Sequence, residues 1–459
     1  MLVLGHFVFV LICLLIYAVN THVSGQRRHP SAAIAWVLLI ALVPYIGLPF
    51  FLVLGTRKFV RPPRRPAAPQ QTFDDTVRAW AIATLEGMGL GTPEAQQTVR
   101  FHADGRVAWD ELAAIIDGAR RRLDICTYVL ANDEVGRRVV DLLRARAGAG
   151  VRVRLLLDAA GSLRTSRRQI RRLRDAGVQV RWFMPLLHNP MRGRVNLRNH
   201  RKLAIADGHR LWSGGRNLAA EYFQGHGRAP AWTDLSFTVH GSLAQAALDL
   251  FDSHWRHTSG PQENSPQADA PEPGGSAPEA GRHLAQMVPS GPDQAEDTVY
   301  ALLLTAIYRA RQRVLAVTPY FVPDDNLLTA LRLAARRGVH VELIVPQRSN
   351  HRLADIARQR ALRDLVAAGA QVRLTAGMTH AKAIVVDDAL ALAGSLNLDA
   401  RSLFLNFELM VAFYAANDIA AVDHWIAATS RGTRKFVAHP VSLWRDILEG
   451  LVRWLGFQI

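Results

Sequence analysis

Two stretches of this chain carry the same chemically capable residues at the same spacing. His200-Arg201-Lys202-Leu203-Ala204-Ile205-Ala206-Asp207 recurs as His380-Ala381-Lys382-Ala383-Ile384-Val385-Val386-Asp387, a duplicated His-x-Lys-x4-Asp pattern. On a strand, an imidazole and an ammonium two residues apart point to one face, because side chains alternate. Two such units facing each other offer a pair of each, a set suited to phosphoryl transfer on a diester. One neutral His attacks phosphorus and becomes a phosphohistidine. The other, protonated, gives its proton to the leaving alcohol and then activates the acceptor hydroxyl. Lys202 and Lys382 neutralise the phosphoryl oxygens as the transition state forms. The residues leave open which His is the nucleophile. No metal and no cofactor is required, because the lysines supply the positive charge, and a Lys beside each His disfavours metal ligation.

The flanking residues describe the elements that must hold this set. Leu203–Ala206 and Ala383–Val386 are short apolar runs that read as strands, and Asp207-Gly208 and Asp387-Asp388 suit the turns that follow. Each unit returns through a second apolar stretch, Leu211-Trp212 or Leu390-Ala391-Leu392-Ala393. It ends at Gly214-Gly215 or Gly394-Ser395, where the backbone could approach a ligand. The match extends past the motif: a Gly stands fourteen residues after each His and an Asn, Asn217 or Asn397, seventeen after. Spacing shared outside the motif argues for two copies of one structural unit. Asn217 and Asn397 can donate further hydrogen bonds to the phosphoryl group. Asp207 and Asp387 join the catalytic candidates, although their turn position suits an orienting role as readily as a chemical one.

The rest of the chain repeats in the same order. Val139–Leu143 reads as helix and Gly150–Asp158 as a buried strand; Ile170–Asp175 is again helical before Gly177–Val180. In the second copy, Leu327–Arg337 is helix, Gly338–Val345 strand, and Leu362–Leu365 leads to Gly369–Val372. Alternating helices and strands predict an α/β sandwich with a mixed sheet in each half. The expected divisions are 1–56, 71–258, 259–282 and 283–459. The third, rich in Pro, Gly, Ser, Ala and Glu, reads as a flexible linker, and Pro62-Pro63-Arg64-Arg65-Pro66 as a stiff basic connector. Val441–Ile459 is amphipathic, with Trp444, Ile447, Leu448, Leu451 and Leu455 on one stripe and Arg445, Glu449 and Arg453 off it. It suits an interfacial helix lying on a bilayer or a helix packed on its own domain.

Compartment is read from the N-terminus. Leu2–Val19 and Ala32–Leu54 are apolar stretches long enough to span a bilayer, although Pro44, Gly47 and Pro49 interrupt the second and leave room for a kinked or re-entrant helix. Arg27 and Arg28 lie between them; Arg57, Lys58, Arg61, Arg64 and Arg65 follow. The positive-inside rule then predicts a transmembrane helical hairpin with the catalytic part facing the cytoplasm. Of 459 residues, 55 are Lys or Arg and 39 Asp or Glu, a formal charge of +16 that suits an anionic partner. With two membrane segments, that partner reads as lipid rather than nucleic acid. Cys13 and Cys126 lie in separate apolar segments and predict no disulfide.

The chain resembles the phospholipase D superfamily, whose members carry two His-x-Lys-x4-Asp motifs, and within it bacterial cardiolipin synthases. Asn199-His200-Arg201-Lys202 with Gly214–Leu218 and Glu221-Tyr222 resembles the first family motif, and Gly394–Ser402 continuing to Asn406-Phe407-Glu408 the second. Ile125–Tyr128 and Thr318–Asp324 resemble the strand ends that precede each catalytic unit. Trp232-Thr233-Asp234 resembles the Trp-x-Asp after the first motif. Trp36, Pro44–Gly47 and Gly55 resemble the N-terminal hairpin. The resemblance implies two phospholipase D-like halves related by a pseudo-two-fold. It also implies an acidic partner for each catalytic His, with Glu408 fitting that role for His380 and Asp234 for His200.

The expected reaction moves a phosphatidyl group from one phosphatidylglycerol onto a His, releases glycerol, and passes it to a second phosphatidylglycerol. A hydrolase that uses water, a transferase using phosphatidylethanolamine, and a nuclease of the same fold share the motif residues. A basic membrane scaffold has no need of either His.

Overall fold

The structure, a computed structural model, describes residues 2–23, 30–55, 58, 76–185, 196–258 apart from 226 and 228, 283–442, and 444, 445, 449, 450 and 452. The predicted linker 259–282 and the basic connector at 62–66 lie outside these residues.

Three apolar helices open the chain: α1 (Leu2–Val23), α2 (Pro30–Leu42) and α3 (Pro44–Leu54). The expected second spanning stretch is therefore two helices. Pro44 lacks an N–H and disfavours helical geometry in the residue before it, so Val43 leaves the helix at φ −138°, ψ 65° and a new helix starts on Pro44. α3 folds back closely on α2: a Cβ on Gly47 would meet Leu39 O at 2.7 Å. Cys13, Tyr17, Ile40 and Phe51 form a small core between the three helices. Among the described residues, no helix is long and apolar enough to cross a membrane.

The catalytic body follows in two matching runs. The first comprises α4 (Val77–Gly87), β1 (Glu94–His102), α5 (Gly105–Asp117), β2 (Arg122–Thr127), α6 (Glu134–Gly148), β3 (Arg152–Asp158), α7 (Arg167–Asp175), β4 (Gln179–Phe183), β5 (Leu203–Ala206), β6 (Arg210–Gly214), β7 (Ser236–Gly241) and α8 (Ser242–His257). The second comprises β8 (Leu284–Ser290), α9 (Thr298–Arg309), β9 (Arg313–Val317), β10 (Phe321–Val322), α10 (Asp325–Arg336), β11 (His340–Pro346), α11 (Arg352–Ala367), β12 (Gln371–Thr375), β13 (Ala383–Val386), β14 (Leu390–Gly394), β15 (Leu398–Asp399), α12 (Ala400–Phe404), β16 (Glu408–Phe413), α13 (Ala416–Ser430) and β17 (Arg434–Lys435). Local chemistry starts several helices. Asp104, Asp133 and Asp324 stand at the N-caps of α5, α6 and α10, and each accepts from a free N–H of the first turn.

Each half contributes a seven-stranded mixed sheet in the same order, β1-β7-β6-β5-β2-β3-β4 and β8-β16-β14-β13-β9-β11-β12. The two sheets are not separate. β1 pairs antiparallel with β8, Glu94 opposite Ala285 and Ala95 opposite Leu284, so with β17 at one edge they form one continuous sheet of 15 strands. One core lies across this junction, where Phe251 and Trp255 of α8 and Ile419 and Val422 of α13 cover Phe237, Val385 and Phe413 from both halves. Two further cores fill the opposite faces, one under α5, α6 and α7 and one under α9, α10 and α11. β3 is buried from Val153 to Asp158, which explains the unbroken apolar run Leu155–Leu157 within it. α4, which the sequence division groups with the first half, packs on the second: Val77, Ala81 and Leu85 share a core with Leu302 and Ala306 of α9.

The C-terminal segment is described at seven positions, 441, 442, 444, 445, 449, 450 and 452. Glu449, off the apolar stripe, is buried and paired with Arg363 of α11 at 2.7 Å, whereas Trp444, on the stripe, is 80% exposed. Among the described residues, Glu449 thus docks on the body and Trp444 does not. Ile447, Leu448, Leu451, Arg453 and Leu455 lie outside the described residues.

Candidate active site

The two motif segments meet at the junction because each is zipped to the opposite half. Asn199 forms a parallel bridge with Phe407, and Thr233 with Thr379. His200 N donates to Phe407 O at 2.9 Å, and His380 N donates to Thr233 O at 2.7 Å. This backbone crossing sets the side chains. His200 Nδ1 lies 3.0 Å from Glu408 Oε2, and His380 Nδ1 lies 2.8 Å from Asp234 Oδ2. The acidic partners are therefore exchanged relative to the sequence expectation, in which each carboxylate served the His of its own half. The neighbouring residue, Phe407 or Thr233, has already committed its backbone to the other half's motif, and the carboxylate follows it.

Donation from Nδ1 to a carboxylate makes Nε2 the lone-pair nitrogen of a neutral ring. Both rings are held neutral. Burial lowers His200 to about 4, with Glu408 opposing and Lys202 assisting. Burial and then Lys382 lower His380 to about 3, against the opposing pull of Asp234. The sequence reading gives one His a proton at the start; burial and the lysines act against that proton, and the carboxylates act for it. Burial would raise Asp234, but the His380 hydrogen bond and the charges around it bring it down to about 2. Glu408 is lowered in the same way: its contacts with His200 outweigh burial.

Lys382 projects beside its ring, with Nζ 3.0 Å from His380 Nε2, while Lys202 Nζ donates to the His200 backbone carbonyl. Burial lowers Lys202 to about 7 and Lys382 to about 8, with Glu408 and Asp234 opposing. These are ammonium groups kept in a dry site and close to losing their protons, a state that an incoming anion would reverse.

Gly214 and Gly394 serve close approach of backbone to backbone: a Cβ would meet Leu235 O at 2.4 Å or Leu409 O at 2.1 Å. At the next position the halves differ. A Cβ on Gly215 would lie 2.2 Å from Asp234 Oδ1, so glycine makes room for that carboxylate, whereas Ser395 donates its hydroxyl to Glu408 Oε2 at 2.6 Å. The close approach read from these residues is to the acidic partners.

Asn217 and Asn397 line the same cavity as the two histidines, but their amide nitrogens are engaged, Asn217 with Tyr222 Oη at 2.8 Å and Asn397 with Ser402 Oγ at 3.2 Å. Asp207 and Asp387 are not in it. Lys202 to Asp207 is five strand residues, about 16 Å at ~3.3 Å each. There Asp207 accepts from the backbone N–H groups of Arg120, Arg121 and Arg122, and Asp387 from those of Arg311, Gln312 and Arg313. Both sit in the left-handed region, at φ 54° and 50°. The expected catalytic role of Asp207 and Asp387 is corrected: each ties the motif hairpin to the strand beside it.

The cavity measures about 810 Å³ and has an apolar wall that includes Val322, Leu353 and Val452. Sequence reasoning did not select Tyr128, Tyr222 or Asp399 as site residues. The Tyr128 ring lies 5.2 Å from His200, and Tyr222 5.0 Å from His380, each edge-on. Asp399 caps α12 and burial raises it to about 6. A usable signal existed for Tyr128, which ends a strand just before the expected catalytic unit. Arg201 lies between the motif residues but points away, into a buried cluster with Asp293 and His254.

Residues 112–255 and 303–429 match the family model described as cardiolipin synthase, phospholipase D-like domain, and residues 7–55 match that of the phospholipase D-nuclease N-terminal region. The chain belongs to the cardiolipin synthase family of phospholipase D-like proteins. Curated members of this family include cardiolipin synthase A of Pseudomonas putida strain W619, 31% identical with 84% of each chain covered. Cardiolipin synthase of Geobacillus kaustophilus is 29% identical, over 91% of this chain and 86% of that one. Among solved structures, phosphatidylserine synthase of Haemophilus influenzae shares the fold, at a TM-score of 0.63 and 15% identity over 81% of this chain and 98% of that one. The two cardiolipin synthase domain matches fall one in each half, so the duplicated motif, the repeated strand order and the family model divide the chain in the same way.

Proposed function

We propose that this chain is a phosphatidyltransferase that makes cardiolipin from two phosphatidylglycerol molecules through a phosphohistidine, releasing glycerol. The observation that carries this is the crossed pair of His–carboxylate contacts, His200 with Glu408 and His380 with Asp234, with both histidines lining one cavity, Lys382 beside the His380 ring and Lys202 on the His200 carbonyl. One His attacks phosphorus through Nε2. The other protonates the leaving glycerol, then takes the proton of the acceptor hydroxyl. The diester's charge, brought between Lys202 and Lys382, stabilises the ammonium forms and the imidazolium that the acid step needs. Glu408 and Asp234 fix each tautomer and steady the charged ring. Asn217 and Asn397 line the cavity and support the phosphoryl group through their amide ends. No metal and no cofactor enters this scheme.

The chain is read as two catalytic halves, 71–258 and 283–459, behind a membrane hairpin, 1–56. The N-terminal family match and the exposed apolar residues of α1 and α3 support a membrane-embedded N-terminus. The basic residues after α3 favour a catalytic body on the cytoplasmic side. Exposed Leu353 and the apolar cavity wall suit entry of acyl chains from a bilayer.

The test is product analysis. Purified chain incubated with phosphatidylglycerol in mixed micelles should yield cardiolipin and glycerol in equal amounts. Phosphatidic acid in place of cardiolipin, with glycerol still released, would make it a hydrolase, and a requirement for phosphatidylethanolamine would change the donor.

A further inference from the structure

The cavity carries an uneven charge that a true two-fold would not produce. Two residues before His200 stands Arg198; two before His380 stands Met378. Four residues after Asn397 stands Arg401; four after Asn217 stands Glu221. Arg198, Arg401 and Glu221 all line the cavity, and the two arginines are the only Arg or Lys among its described lining residues. Both gather near His200. Arg401 donates from Nη1 to Asn196 Oδ1 at 2.8 Å and from Nη2 to Asn196 O at 2.7 Å. Arg198 Nη1 lies 3.5 Å from Asp158 Oδ1. Tyr128, whose ring is edge-on to His200, feels the charge of both arginines. Burial, and to a smaller extent the like charge of Arg198, holds Arg401 below its ordinary value against the opposing charge of Asp399, which also lines the cavity.

Two guanidiniums brought together out of water are costly unless an anion joins them. The charge of the reacting diester is already met by Lys202 and Lys382. Asp158 and Asp399 already oppose part of the arginines' charge, and the transfer reaction brings a further anion into the same cavity. An acceptor phosphatidylglycerol carries its own phosphodiester three carbons from the attacking hydroxyl. When that hydroxyl reaches the phosphohistidine, the second phosphate must lie in the same cavity.

We propose that Arg198 and Arg401 form the subsite for the acceptor lipid's phosphodiester. This inference rests on the reading of transfer between two phosphatidylglycerols. The acceptor O–P bond forms as the His N–P bond breaks, the hydroxyl proton passes to the other His, and the arginines exchange no proton. Their planar forks match phosphate oxygens, while Glu221 repels the acceptor phosphate from the other end. Water and small neutral alcohols gain nothing from the pair, so the subsite favours the lipid acceptor over hydrolysis.

The test offers two acceptors at once. Full-length protein is given phosphatidylglycerol in mixed micelles with ethanol, an uncharged acceptor that yields phosphatidylethanol. In R401Q, and independently in R198Q, the ratio of cardiolipin to phosphatidylethanol should fall at least about tenfold, the scale of one charged hydrogen bond. R401K, which keeps the charge and loses the fork, should fall less. Equal loss of both products in the variants would overturn the subsite. Should R401Q fail to fold, the same ratio in R198Q and R401K decides. Phosphatidylethanol without cardiolipin from the unmodified protein would overturn the transfer reading and the subsite with it.

Discussion

His200 makes its carboxylate contact with Glu408, 3.0 Å away and 208 residues later in the chain, while His380 takes Asp234 from the first half. Neither half holds a complete His–acid pair. The catalytic unit is thus the junction itself, and each half's strand packing is a condition for the other's chemistry.

The exchange predicts selective effects. Asp234→Asn should disturb the titration of His380 and leave that of His200 in place; Glu408→Gln should do the reverse. Each should lower kcat by at least about a hundredfold, as loss of a tautomer-fixing carboxylate does elsewhere. Imidazole NMR of selectively labelled protein reads the first effect and cardiolipin formation the second. Asp234→Asn acting on His200 would refute the crossing.

Asp207→Ala should act on stability. Three N–H groups lose their acceptor, and alanine is strained at φ 54°, for a cost of about 2–4 kcal/mol. Activity per folded molecule should stay near that of the parent. Its carboxyl is held below the usual range because the N–H groups of Arg122, Arg120 and Arg121 outweigh burial. A depressed folded value means this stabilisation is present above the unfolded carboxylate range and is lost as pH falls through the folded one. Denaturant melts from neutral to acid pH, in both proteins, check it.

The lysines set the alkaline limit. With Lys202 lowered to about 7 and Lys382 to about 8 by burial, the free enzyme loses cationic charge as pH rises through that range. kcat/KM, which reports the free enzyme, should fall above pH 7–8. kcat should hold to higher pH, because the bound diester raises both ammonium values. A kcat/KM that is flat to pH 10 would contradict the buried-lysine account.

Anion binding should also take up protons at acid pH. Burial holds both rings toward the neutral form, His200 at about 4 and His380 at about 3. A bound diester raises these values, so the complex holds more protons than the free protein, and affinity should strengthen as pH falls toward that range. Calorimetry with a non-reactive diester lipid, in buffers of different ionisation enthalpy, measures the uptake directly.

Arg201 should matter through folding. It crosses the junction to Ser290 O, Glu408 O and the Asp293 carboxylate, which also takes His254 Nε2 at 2.9 Å. Arg201→Ala leaves Asp293 buried without its main partner and should cost about 3–5 kcal/mol. A melt within about 1 kcal/mol of the parent would show that the cluster is not a latch between halves.

The sequence made the halves legible because each duplicated element carries its own local signal. The apolar run Leu203–Ala206 with its Asp-Gly turn, and the helix patterns before β3 and β11, need no tertiary information. What was not legible depends on contacts across the junction. Nothing local to Glu408 tells that Phe407 bridges Asn199, so the carboxylate was assigned by proximity in sequence. The single sheet follows from a short β1–β8 pairing that has no signature in either strand. Asp207 looks the same in sequence whether it faces a phosphate or three backbone amides. The break at Val43 was readable, because proline acts locally, but what surrounds α1 to α3 is not a property of the chain alone.

The central claim is covalent transfer through one of the two crossed histidines. A phosphatidyl ester with a nitrophenol leaving group needs no general acid, so a variant lacking the acid–base His should still form the adduct and then trap it. Intact-mass analysis of His200→Ala and His380→Ala after rapid quenching measures this. The account predicts a stable phosphatidyl adduct on the remaining His in one variant, and none in the other. No adduct in either variant, from folded protein that releases nitrophenol, would contradict the phosphohistidine mechanism.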